Sequence, residues 1–345
     1  MRYTLFLFFT ILLVACRHDL FKGPPPPPTP FVFKSPDNFP PFFDPADNQT
    51  TLEGIALGRK LFYDPILSGD NTLACADCHR QENAFTDPRQ FSIGIDGIAG
   101  KRNSMSLVNI AWQPRLFWDG RSLGLEAQAL RPIQDPIEMH ESLENAVAEL
   151  QGRPDYTEMF WLAFGTETVD STLIAKALSQ FERTFISFNS KYDRWKLGQD
   201  SLTESAQLGM EAFLDNDRGG CAQCHSFGAI FSDFIFRNNG LDSLPSDVGR
   251  FAVTGTLSET GAFKTSSMRN IEYTAPYMHD GRFATLEEVL EFYNTGFELG
   301  PYADPAMYNL VKGRLSEDDK NNIIAFLKTL SEPEFLTNPA FKKPE

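Results

Sequence analysis

Four of the five cysteines in this chain of 345 residues fall into two copies of Cys-x-x-Cys-His: Cys75, Cys78, His79 and Cys221, Cys224, His225. Two thiols at this spacing can add across the two vinyl groups of one haem while the adjacent histidine reaches the iron. Each copy therefore reads as a covalent c-type haem attachment site, with His79 and His225 as iron ligands. The competing readings are a zinc site and a redox-active Cys-x-x-Cys pair. Neither needs histidine directly after the second cysteine in both copies.

The fifth cysteine bears on where the other four mature. Arg2 precedes an apolar run from Leu5 to Ala15, and Leu13-Val14-Ala15-Cys16 resembles a bacterial lipobox, in which the cysteine is lipidated and becomes the new N-terminus. The run is too short to span a bilayer as an uncleaved anchor. A signal peptide over 1–15 and a lipidated Cys16 are expected, placing the folded part in the periplasm or cell envelope, anchored to the membrane. Pro24 to Pro28 and Pro30 then predict a stiff, extended tether over 16–43.

The haem motifs sit inside an internal duplication, which divides the elements that must position them. Gly58-x-x-x-Phe62-x-Asp64 precedes the first motif and Gly209-x-x-x-Phe213-x-Asp215 the second. Downstream, Arg102-Asn103, Asp119-Gly120-Arg121 and Leu125-Glu126 are echoed by Arg269-Asn270, Asp280-Gly281-Arg282 and Leu286-Glu287. Two related domains, 44–198 and 199–335, with a tail over 336–345, are expected. Leu143, Ala146, Val147, Leu150 and Ile174, Ala177, Leu178, Phe181, Phe185 follow one helix face, and Thr285-x-x-Glu288 and Ser316-x-x-Asp319 read as capping boxes. Alternating strand patterns are scarce. The expected fold is all-α, with two c-type cytochrome-like haem domains and long loops around the haems.

The formal net charge is −15, and it becomes −16 once residues 1–15 and Arg2 are removed. So acidic a surface excludes nucleic acid as a natural partner and is compatible with a basic redox protein.

On these residues, and on Gly100-Lys101-Arg102-Asn103, Phe117-Trp118-Asp119-Gly120-Arg121, Glu138-Met139 and Thr274 to Gly281, the chain resembles the bacterial dihaem cytochrome c peroxidase family. That family includes the dihaem enzyme that completes tryptophan tryptophylquinone in methylamine dehydrogenase. The resemblance implies that the first haem binds and splits hydrogen peroxide. The second would take electrons from a donor, a small cytochrome c or cupredoxin, or store oxidising equivalents. It further implies that Glu138 is the acid/base for O–O cleavage, that Gln128 orients the peroxide, and that Trp118 relays electrons between the haems. A calcium ion between the domains is implied at Asn103, Thr274 and Pro276, the last two through backbone oxygens. In isolation each of these is an ordinary polar, aromatic or turn residue.

Two positions depart from the commonest family pattern. Many members carry a histidine in the loop after the first motif that ligates the first iron in the oxidised state; here Ile95 stands in its place, within Ser92 to Gly97. Fourteen residues after His279, where peroxidases of the family usually have a methionine ligand, stands Tyr293, and the tryptophylquinone-forming enzyme has tyrosine there as well. Tyr293 is thus the expected sixth ligand of the second haem, with Met278 or Met268 as the alternative. His140 reads as a surface residue and His279 as a hydrogen-bonding group near the second haem.

Two function classes follow. One is a peroxidase reducing hydrogen peroxide to water with electrons from a small redox protein. The other is an oxidase that uses peroxide to oxidise or modify a protein or organic substrate. A non-catalytic electron carrier would not need Gln128 and Glu138. The oligomeric state is not specified by the sequence, and a homodimer is compatible with it.

Overall fold

A computed structural model of the chain describes residues 23–34, 39–41, 44–226, 228–310 and 312–345. The signal run and Cys16 lie outside the described residues. The fold is all-α, as the helical periodicity predicts. The first half carries α1 (Leu52–Tyr63), the single turn α2 (Cys75–Cys78), α3 (Leu125–Gln134), α4 (Leu143–Gln151), α5 (Pro154–Phe164) and α6 (Ser171–Glu182). After α7 (Lys191–Lys196), the second half carries α8 (Glu204–Leu214), the single turn α9 (Phe251–Thr254), α10 (Leu286–Glu291) and α11 (Glu317–Lys328). Strands β1 (Phe236–Arg237) and β2 (Phe263–Lys264) pair antiparallel and are the only strands longer than one residue among the described residues.

The repeated glycines have a packing cause. A Cβ on Gly58 would lie 1.9 Å from the Ala177 carbonyl oxygen of α6, and one on Gly209 would lie 1.8 Å from the Asn322 carbonyl oxygen of α11. Only a residue without a side chain lets α1 approach α6, and α8 approach α11, this closely. Phe62 and Phe213, one turn on, are fully buried beneath the two crossings. Thr51 and Thr203 cap the leading helix of each pair by accepting from the amides of Gly54 and Ala206. Both capping boxes form, at Thr285/Glu288 and Ser316/Asp319.

The duplication extends to unusual backbone. Phe85 and Phe231 both have positive φ (57° and 53°), as do Asn109 and Asn270 (54° and 58°) and Phe117 and Met278 (64° and 73°). Non-glycine residues rarely adopt this conformation, so its recurrence at matching places marks one loop architecture used twice.

Each half has its own apolar cluster. In the first, Phe62, Phe85, Phe181 and Phe185 pack together, with Phe85 and Phe185 stacked at 3.9 Å. Phe185 lies beyond the end of α6, so its helical spacing in the sequence records burial rather than helix. The second cluster gathers Phe213, Phe231, Phe326 and Tyr192. Between α7 and the second half, fully buried Arg269 donates to Asp193 at 2.5 and 2.8 Å and to the Ala229 carbonyl at 2.7 Å. Removing one partner of such a pair strands a buried charge and costs about 3–5 kcal/mol.

The described parts of the expected tether and tail are more engaged than the sequence suggests. Within the expected tether, the Phe31 amide donates to the Thr50 carbonyl at 2.9 Å, the Leu52 amide to Thr29, and Phe39 is buried against Trp112. An extended segment has unpaired backbone groups that a neighbouring extended segment can satisfy, and aromatic side chains that gain from burial. In the expected tail, Phe341 joins the first cluster, and Arg59 and Tyr63 of α1 donate to carbonyls of Pro339, Phe341 and Lys342.

Candidate functional site

The first motif forms the single turn α2, closed by the Asp77 carboxylate accepting from the Ala74 amide at 2.8 Å. His79 Nδ1 lies 2.9 Å from the Phe85 carbonyl oxygen. A carbonyl can only accept, so Nδ1 carries the proton and Nε2 keeps its lone pair for a metal. The second motif forms a short 3-10 turn, Cys221–Gln223, and burial lowers His225 to about 4, holding it neutral. Its Nδ1 is buried, and the Phe231 carbonyl, counterpart of Phe85, acts on the imidazole against the effect of burial.

The thiols bear on one of the competing readings of the motifs, the redox-active pair. Burial pushes Cys78 up to about 11, Cys221 to about 12, and Cys75 and Cys224 upward as well. A redox-active pair needs a depressed thiol pKa, and no disulfide joins these four. Each Cys-x-x-Cys-His lines a mostly apolar cavity, of about 710 Å³ at the first motif and about 270 Å³ at the second. Two thiols, a neutral imidazole and an apolar chamber fit a covalently attached haem in both places.

The first cavity brings together Cys75, Cys78, His79, Gln128, Glu138 and Trp118. Gln128 is carried by α3, and Glu138 by the loop that follows it. The Glu138 amide donates to the Asp135 carbonyl, and its own carbonyl accepts from Ile95 at 3.0 Å. Burial, reinforced by Asp135 and opposed by Arg121, raises the Glu138 carboxyl to about 7. A carboxyl poised near neutrality can both take and return a proton.

The loop containing Ile95 packs against the Glu138 loop through its backbone, and Ile93 and Gly94, not Ile95, line the cavity. His140 is exposed, with Nδ1 2.6 Å from Asp96 and its ring outside the cavity lining. His79 is the only histidine lining this cavity among the described residues.

Trp118 lines both cavities. Its Nε1 donates to the Asn103 carbonyl at 2.8 Å, and its own carbonyl accepts from the Lys264 amide at 2.8 Å. Asp119 pairs with Arg102 at 2.6 Å and Arg121 at 3.1 Å, and Arg102 pairs with Asp247 of the second half at 2.7 Å. This network fixes the Trp118 loop across the seam between the halves.

The second cavity brings together Cys221, Cys224, His225, Tyr293 and Met278, with Met268 also in its wall. Tyr293 lies in the π-helical turn Phe292–Gly296 that continues α10. Asn239 Nδ2 donates to the Tyr293 hydroxyl at 3.0 Å and reaches Met278 Sδ at 3.7 Å. Burial pushes Tyr293 up to about 12, and the Asn239 hydrogen bond opposes that shift by favouring the phenolate. His279 is stacked on Phe263 at 3.7 Å, and its carbonyl accepts from the Asn103 amide.

Asn103, Thr274 and Pro276 share a wall of the second cavity. Asn103 Nδ2 donates to the carbonyls of Arg89 and Gln90 (3.1 and 3.2 Å), which turns its side-chain oxygen away from them. Among the described residues no group of three or more His, Cys, Asp or Glu side chains is placed to hold a metal. A cation here would rest on amide and carbonyl oxygens.

Two groups in these walls were not singled out from the sequence. Asn239 gave no signal, since its role depends on Tyr293 coming within reach. Lys264 lines both cavities and is buried, and burial lowers it to about 7. A lone lysine in the run Gly261-Ala262-Phe263-Lys264 was the available hint.

A family model described as di-haem cytochrome c peroxidase matches residues 52–201. The methylamine utilization protein MauG of Methylorubrum extorquens is 36% identical over 312 residues, covering 89% of this chain and 86% of that protein. The cytochrome c551 peroxidase of Nitrosomonas europaea is 34% identical, covering 81% and 80%. A solved MauG-like protein associated with microbial copper homeostasis superposes with a TM-score of 0.83 at 36% identity, covering 91% of this chain and 99% of that one.

Proposed function

The chain belongs to the di-haem cytochrome c peroxidase family, and we propose that it reduces hydrogen peroxide in the first cavity with electrons that enter through the second. The observation that supports this most is Glu138, a carboxyl raised to about 7 in the same chamber as Gln128, Cys75, Cys78 and His79. A bound haem supplies the redox-active iron at which the O–O bond is cleaved. Gln128 donates a hydrogen bond that orients the peroxide. Ionised Glu138 would take a proton from one peroxide oxygen and return it to the other, which would leave as water. Two electrons and two protons complete the reduction to two waters. Trp118, common to both cavity walls, provides the path for those electrons, and a small redox protein, cytochrome c or cupredoxin, is their source.

A second reading is favoured by Tyr293. Asn239 donates to its hydroxyl, an arrangement suited to an anionic oxygen ligand. A phenolate stabilises oxidised iron and lowers the potential of the second haem, where a thioether would raise it. Such a haem would hold oxidising equivalents supplied by peroxide and draw electrons from a protein or organic substrate, as an oxidase would. Turnover of peroxide with reduced cytochrome c separates the two readings: fast steady-state oxidation supports the peroxidase, and its absence in a peroxide-reactive protein supports the oxidase.

The first haem is expected to be open or water-bound in the oxidised protein, because Ile95 has no ligating atom and His140 is held outside by Asp96. Electron paramagnetic resonance of the resting protein should then show one high-spin haem. Two low-spin haems with nitrogen or sulfur ligands would overturn this and make His140 the suspect.

A calcium ion at Asn103, Thr274 and Pro276 is part of the same proposal, and metal analysis of the purified protein tests for it. Attachment through a lipid on Cys16 would hold the protein at the membrane of the periplasm or cell envelope. Among the described residues no helix is long and apolar enough to cross a membrane.

A further inference from the structure

We infer that Lys264 is an anchor for haem propionate, set in the wall that the two cavities share. The inference rests on the reading of both cavities as haem sites.

Lys264 begins where β2 ends and is 3% exposed. Its Nζ donates to Gln113 Oε1 and to the Arg115 carbonyl, the latter at 2.8 Å. Both acceptors are neutral. No carboxylate pairs with Lys264 among the described residues: the carboxylate that acts on it, Asp119, is already held by Arg102 at 2.6 Å and Arg121 at 3.1 Å. In its charged form the amine has three hydrogens and two are used, so one donor and the countercharge remain to be supplied, and an anion beside it would hold the charged form that burial disfavours.

Buried charges in folded proteins are paired. The residue lines both cavities. The only anions that a c-type haem brings into such a chamber are its two propionates, since its remaining periphery is apolar. Lys264 also donates its backbone amide to Trp118, so a propionate held here would lie beside the residue shared by the two walls. Gln113 and the Arg115 carbonyl fix the direction of the amine without neutralising it, which suits a group awaiting an anionic cofactor.

The test compares wild-type protein with Lys264→Met, Lys264→Gln and Lys264→Arg. Haem content is counted by the pyridine haemochrome spectrum, the propionate bending modes are read by resonance Raman, and both haem potentials by spectroelectrochemistry. Losing a cation next to a propionate favours the ferric state, so Lys264→Met and Lys264→Gln should shift a propionate mode and lower a haem potential. Lys264→Arg should restore both towards wild type. The haem with the larger fall in potential is the source of the propionate. Should Lys264→Met fail to fold, Lys264→Gln carries the same expectation, since it keeps a polar end without the charge. Two attached haems with unchanged propionate modes and potentials in the neutral variants would overturn the role of Lys264 and leave the haem reading intact. Wild-type protein without covalent haem would overturn both.

Discussion

Glu138→Gln should carry both haems and lose peroxide turnover by about 100-fold to 10,000-fold, the usual cost of removing a positioned acid/base. Glutamine matches glutamate in shape, so the cavity and the contact of the Glu138 carbonyl with Ile95 survive the change. What disappears is the proton shuttle. The pH dependence gives a second readout. Burial raises the carboxyl to about 7, and the ionised form is the one that takes the first proton. Activity of the wild type should therefore rise as pH increases through about 7, and the rise should be absent from the residual activity of the variant. Rapid mixing with peroxide, followed at the haem absorbance bands, measures both. Wild-type rates in Glu138→Gln would return Glu138 to the role of a half-buried polar residue.

Tyr293→Phe is the second large effect. The change removes one oxygen from a half-buried position where Asn239 is its hydrogen-bond donor. With tyrosine as the sixth ligand, the variant loses an anionic donor from the second iron. Its absorption spectrum changes and its potential rises, because the oxidised state is no longer favoured by a phenolate. Met278 lines the same cavity and is touched by the same amide, so the rise is larger if it takes the empty place. The peroxide reaction at the first haem should still begin, while the lifetime of the oxidised second haem falls. A second-haem spectrum and potential identical to wild type would show that tyrosine is not a ligand and would direct attention to Met278 and Met268.

The two experiments report on opposite ends of one path. In the proposed function Glu138 would govern entry of oxidising power and Tyr293 where it is held, and Trp118 lines both cavities. Loss of the first effect with retention of the second would describe a dihaem electron carrier, which needs no acid/base.

The chemistry of this protein was legible in the sequence wherever it depends on residues close together along the chain. Cys75, Cys78 and His79 lie on a single turn, and so do Cys221, Cys224 and His225, so spacing alone specifies what they can hold. The paired glycines Gly58 and Gly209 could be seen to repeat, since duplication preserves order, and the capping boxes at Thr285 and Ser316 are local hydrogen-bond patterns. Glu138, Gln128 and Trp118 are legible through resemblance and not through spacing, because α3, which carries Gln128, and the loops of Glu138 and Trp118 meet only in the folded chain.

What the tertiary structure decided is everything that depends on contact between distant segments. Gly58 is required by Ala177 and Gly209 by Asn322, partners more than a hundred residues away that no local pattern reveals. The docking of Phe31 and Phe39, and the return of Phe341 to the first core, turn stretches that look like tether and tail into packed structure. Lys264 is ordinary as a letter in the sequence. Its meaning comes from burial without a counter-ion between two cavities, a property that belongs to the space around a side chain and not to the order of residues.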